Sequence, residues 1–311
     1  MLQIALLVTA LVGQGPGLAD LQKTYDDASK SPSYDVTKLM GVNEGVFGLI
    51  HEDKLSTPVD FMKASSLLSD WRNTFETLRV KHELCLVALA SGDKLARTEV
   101  KKTWDSFLIS TGREQRIGTL LMPDEPKFQV SPAPKSIRNV MMDPDKAVTM
   151  ALSAKSDAEV TKICADDQAA REMDFSKATM KQIEDMSKGD KKRLARMVQL
   201  LEAGRVVTSE DFDHASLVLQ HGSTWKDYSL AHELSICTLL LDSKKSAWLT
   251  AATYDRMLGS GGYRQRFGTQ YVSNAGSKFF LAPVDETAIN DTERKIMKCP
   301  TLEKARNRKW D

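Results

Sequence analysis

Two stretches of this chain repeat one another at a spacing of 150 to 151 residues, and a repeat of that length constrains the fold before any single residue does. Thr57-Pro-Val-Asp-Phe-Met-Lys-Ala-Ser aligns with Thr208-Ser-Glu-Asp-Phe-Asp-His-Ala-Ser, and His82-Glu83-Leu84 with His232-Glu233-Leu234. Between Thr103 and Thr119, nine of seventeen positions are identical to Thr253–Thr269. The sequence therefore predicts a tandem duplication in which the first copy has drifted. The expected boundaries are a leader over 1–19, a first copy over 20–149 and a second over 150–311, with Ser131-Pro-Ala-Pro in the connection.

Periodicity gives each copy a mainly helical character. In the second copy Thr208 or Ser209 offers a helix cap followed by acidic residues. Leu230, Leu234, Cys237 and Leu241 form one apolar stripe over Tyr228 to Leu241. A third helix over Ser246 to Leu258 stops at Gly259-Ser-Gly-Gly. Segments Arg266 to Val272 and Lys278 to Val284 then have strand character around Asn274-Ala-Gly-Ser. The first copy repeats this with Arg116 to Met122 and Lys127 to Val130. The fold class expected is mainly α, a duplicated helical unit whose copies each end in a small β-hairpin. Met150 to Gly204 reads as two further charged helices stopped by Gly204, an added layer that the segment before the first copy does not match.

The apolar run Ile4 to Val12, followed by Gly17-Leu18-Ala19, has the form of a secretory signal cleaved near Asp20, although no Lys or Arg precedes it. It is too short to cross a bilayer. The expectation is an exported protein without a membrane span. A net charge of +1 gives no global field to attract nucleic acid. Cys85, Cys164, Cys237 and Cys299 form no CxxC pair; Cys85 and Cys237 sit at equivalent core positions and read as buried thiols. Lys191-Lys192-Arg193, with Arg196 one turn on, is either a solvated helix face or an anion-binding patch.

The two copies differ in their polar residues. Asp255, Gln265, Gly268 and Thr269 have counterparts in Asp105, Gln115, Gly118 and Thr119, as expected of scaffold. Gln220-His221, Arg256 and Gln270 are replaced by Ser69-Asp70, Ser106 and Leu120. The one-sided set points to a site that also takes in neighbouring residues, with His221 and Asp255 as the catalytic pair and Arg171, Gln220, Arg256, Gln265, Thr269 and Gln270 as substrate-binding residues. Each has a plainer reading too. His221 could be a core histidine, Asp255-Arg256 an interhelical ion pair, and the Gln and Thr residues ties within the hairpin. No HExxH, P-loop, Gly-x-Ser-x-Gly or dinucleotide motif is present, so no metal or cofactor is expected.

Asp167-Gln168-x-x-Arg171, Gln220-His221, Tyr254-Asp255-Arg256 and Gly262-x-x-Gln265-x-Phe-Gly-Thr-Gln270 together resemble the bacterial family called domain of unknown function 6624, over roughly Ala151 to Asn307. Phe267 stands where that family usually has Tyr, and Gly222-Ser223 follow His221 where it tends to have acidic residues. The resemblance implies a shared polar signature and supplies no reaction. Two functions follow as expectations: an exported hydrolase-like enzyme acting on a small polar ligand, or a non-catalytic cell-envelope module that binds an envelope protein.

Overall fold

A computed structural model describes residues 16–30, 35–69, 74–120, 129–174, 177–243, 245–273, 279–286 and 289–308. Among these, the chain runs α1 (Leu18–Lys30), α2 (Val36–His51), α3 (Pro58–Leu67), α4 (Phe75–Ala90) and α5 (Ala96–Ser110), then α6 (Lys135–Met142) and α7 (Pro144–Ser153). It continues through α8 (Ala158–Ala169), α9 (Met180–Ala203), α10 (Ser209–Leu219), α11 (Trp225–Leu241) and α12 (Ala247–Ser260). Strands β1 (Tyr271–Val272) and β2 (Phe280–Leu281) and helices α13 (Asp291–Ile296) and α14 (Leu302–Arg306) complete it. The protein is mainly helical, and β1 and β2 form a single two-stranded antiparallel sheet. None of the described helices is long and apolar enough to cross a membrane.

Local chemistry explains the boundaries. Thr57 and Thr208 open α3 and α10 with matching capping boxes, closed by Asp60 and Asp211. Gly204 ends α9 in the left-handed region at φ 75°, where a side chain would be strained. Helices α4 and α11 are buried on every side from Thr77 to Leu89 and from Ser229 to Leu240, so they form the centre of the molecule rather than an amphipathic surface layer.

These two central helices pack on each other. Where they meet, His82 Nε2 lies 3.4 Å from His232 Nε2, while the Nδ1 atoms reach Thr103 and Thr253 at 2.9 and 3.3 Å. Beside them run two crossed ion pairs. Arg116 Nε meets Glu233 at 2.7 Å and Arg266 Nε meets Glu83 at 3.0 Å. Trp104 Nε1 and the Tyr254 hydroxyl donate to the same two carboxylates. Apart from the two histidine–threonine bonds, each of these contacts joins one half of the chain to the other.

Three expectations need correction. The first half does not lack a helical layer: α1 and α2 pack on each other and against α3, as α8 and α9 pack around α10. The boundary at 149/150 falls inside α7, and both α6 and α7 pack on α11 of the second half, while α13 packs back on α4. The hairpin is far smaller than Arg266–Val284, because Gly268 at φ 76° turns the chain before a strand can form. In the first half the described residues show an isolated Gln115–Val130 bridge, matched by Gln265–Val284 in the second. The turn at Pro123-Asp-Glu-Pro, the Asn274-Ala-Gly-Ser turn, Asp70 and the leader over 1–15 lie outside the described residues. All four cysteines are buried free thiols; burial pushes Cys85 up to about 12.

Candidate functional site

The polar residues divide into a turn network and a cluster. In the turn network Asp255, fully buried, accepts the backbone N–H groups of Arg266, Phe267 and Thr269 and the Thr269 hydroxyl, at 2.7 to 3.0 Å. Asp105 accepts the equivalent four donors from Arg116, Ile117 and Thr119. Gln265 closes the same turn: its side-chain oxygen accepts Gln270 N–H and its amide donates to the carbonyls of Gln270 and Ala282. Burial raises the Asp255 pKa, and the donated bonds oppose that shift. With all four bonds directed at the turn, Asp255 does not orient His221. Its assignment to the catalytic pair is therefore replaced by a structural one, and Gln265 and Thr269 are likewise spent inside the turn.

The cluster forms where α8, α9 and the end of α10 converge. The carboxylate on His221 is Asp167, fully buried at the centre of the group, with Oδ2 at 2.9 Å from Nδ1. Asp167 Oδ1 receives Arg171 at 2.9 Å and Arg193 at 3.3 Å. Asp190 then joins both arginines, at 3.0 Å to Arg171 and 2.5 Å to Arg193. The His221 side chain keeps 18% of its surface exposed, so the ring is reachable from outside. A carboxylate on Nδ1 fixes the ring's orientation and leaves Nε2 for exchange with a bound molecule.

Arg256 borders this cluster. Its Nη1 donates to the Gln220 carbonyl at 2.8 Å and its Nε to Gln270 Oε1 at 3.2 Å. Gln270 is itself held by the Ala252 carbonyl and the Thr269 hydroxyl. Among the described residues no carboxylate pairs with Arg256. Burial lowers its pKa from the ordinary value; the Tyr228 hydroxyl works the other way, and the charge of Arg171 adds to the lowering. A half-buried guanidinium held by neutral acceptors and facing a second arginine carries an unbalanced positive charge, the setting in which an anion binds.

The structure thus brings together Arg171, His221, the Gln220 carbonyl, Arg256 and Gln270. It adds Asp167, Arg193 and Asp190, which sequence reasoning had not placed in the site. The signal for Asp167 was present in Asp167-Gln168-x-x-Arg171, whose four-residue spacing puts the acid and the arginine on one helix face. Arg193 was hidden in the run Lys191-Lys192-Arg193: the two lysines are solvated and the arginine turns inwards. In the first half, Asn43 spans Ser69 at 2.9 Å, beside a cavity of about 220 Å³ whose walls include Leu39, Met40 and Phe47. Apolar walls therefore stand near the segment that replaces Gln220-His221. Among the described residues no group of three or more His, Cys, Asp or Glu side chains is placed to hold a metal ion.

In comparisons with known proteins, no family model, no curated protein and no solved structure matched this chain.

Proposed function

We propose that the chain is an exported, hydrolase-like protein built from two duplicated units and related to the domain of unknown function 6624 family. In this reading the second unit binds a small anionic substrate and His221 serves as its acid–base group. The observation that carries it is the His221–Asp167 pair set beside Arg256, a cation with no carboxylate of its own. His221 Nε2 takes a proton from a water molecule as the water oxygen bonds to the substrate's carbonyl carbon or phosphorus. It then returns that proton to the departing oxygen as the ester bond breaks. Asp167 holds the imidazole and balances its transient charge, and Arg256 and Arg171 hold the anion. The duplication is supported by the matched bond sets around Asp105 and Asp255, and export by the leader composition.

One observation favours a non-catalytic envelope-binding module instead: among the described residues no hydroxyl or thiol bonds to His221, so none of them stands beside that ring as a nucleophile. The two readings separate in one experiment. Wild type, His221→Gln and Arg256→Gln are offered mono-p-nitrophenyl succinate and p-nitrophenyl phosphate, both of which carry an anionic group, and their melting is followed with and without inorganic phosphate. The enzyme reading expects wild-type turnover that falls by about 100-fold or more in His221→Gln. Turnover undiminished in that variant would sink it. Phosphate that stabilises wild type but not Arg256→Gln, with no turnover of either ester, would favour the binding module.

A further inference from the structure

A second site stands apart from the His221 cluster, in the seam where α6, α7 and the segment after α9 meet. It is a cavity of about 560 Å³, within the range that holds a single small organic ligand. Ile117, Val140, Ala147 and Val206 give it apolar walls, and Met142 and Met150 stand exposed at 59% and 46% along it. Methionine side chains adapt to irregular apolar ligands. Ser136 lines the cavity at 2% exposure, and its hydroxyl has no hydrogen-bond partner. Arg138 and Lys146 also line the cavity, and neither is ion-paired among the described residues. The single acid there, Asp143, is engaged in capping α7 through the Lys146 N–H.

From these features we infer a binding site for a small amphiphilic organic anion. Its apolar body lies against Ile117, Val140 and Val206, and its acidic group meets Arg138 and Lys146. An unsubstituted apolar molecule leaves the two cations unused. A small inorganic anion leaves the walls wet. The site is independent of the proposed acid–base chemistry and would stand if that chemistry failed.

The full-length chain is titrated with two fluorescent probes that share one aromatic body. 8-Anilino-1-naphthalenesulfonate carries an anionic group and an N–H; N-phenyl-1-naphthylamine carries the N–H alone. The site predicts saturable one-to-one binding of the sulfonate. The double variant Arg138→Glu/Lys146→Glu weakens that binding by about tenfold or more while leaving the neutral probe within about twofold. Both substitutions are at exposed positions, so the fold should persist, and circular dichroism checks this. Ala147→Phe narrows the cavity and should weaken both probes. If that variant does not fold, the paired-probe comparison decides alone. Non-saturable binding of the sulfonate, or equal affinity in wild type and the charge-reversed variant, overturns the proposal.

Discussion

Asp255 and Arg256 are neighbours in sequence with opposite duties. Asp255 gathers four donors that no other group can satisfy, so replacing it with alanine leaves buried N–H groups unpaired. The expected loss is about 3–5 kcal/mol in urea unfolding. Arg256 is held by neutral acceptors and sits near another arginine, so Arg256→Met removes an uncompensated charge while keeping the stem. Its stability is expected to stay within about 1 kcal/mol of wild type, or to rise. Equal losses for the two variants would show that Arg256 is part of the framework and remove the ground for an anion site. The copies differ at these positions, since Asp255 has a counterpart in Asp105 and Arg256 does not, yet both were expected in the site, Asp255 as a catalytic residue. The sequence did not show which acid faces His221, because Asp167 and His221 are 54 positions apart. Their contact depends on how α8 lies against the end of α10, a packing fact that no spacing encodes.

At the scale of elements, caps and stops were the legible part. Thr208 as a helix start and Gly204 as a helix stop follow from groups within four residues, and both are found where expected. The hairpin was misjudged for a physical reason. Arg266 to Val272 has strand composition, yet Gly268 takes a positive φ and the segment folds around the Asp255 carboxylate. A Cβ added at Gly268 would meet only ordinary contacts, with Ala305 at 3.8 Å, so the cost of Gly268→Ala is conformational. The expected loss is about 1–2 kcal/mol, read from the shift in urea midpoint at unchanged slope. A variant as stable as wild type would mean that the turn relaxes without its left-handed residue. The layer formed by α1 and α2 was missed because its sequence matches α8 and α9 poorly. Helix packing needs an apolar face rather than a shared motif, and Leu39, Val42, Val46 and Leu49 provide one.

Across the whole molecule, buried titratable groups set the response to pH. Glu293 is buried, with Asp53 and Glu83 raising its pKa further and Arg294 and the Asn290 N–H opposing; it holds its proton to about 8 instead of 4.5. The folded protein therefore keeps a proton that the unfolded chain releases, and stability falls as pH rises from about 4.5 to about 8. The histidine pair acts from the other side. Burial lowers His232 to about 3 and His82 well below its ordinary 6.5, so the unfolded chain takes up protons that the folded core refuses. Stability is lost as pH falls from about 6.5 towards 3. Glu293→Gln should flatten the alkaline decline by up to a few kcal/mol in urea unfolding at pH 5, 6.5 and 8, and leave the acid limb in place. Parallel curves for variant and wild type would exclude Glu293 as the source.

The crossed pairs Arg116–Glu233 and Arg266–Glu83 have one further consequence. Each half supplies the cation that neutralises an acid buried in the other. Cleaved in the loop after α7, the protein would become two mutually dependent strangers: Glu233 would lose Arg116, and Glu83 would keep Arg79 of its own half but lose the closer Arg266. In that sense the connection acts as a tether: it fixes the local concentration of one half around the other.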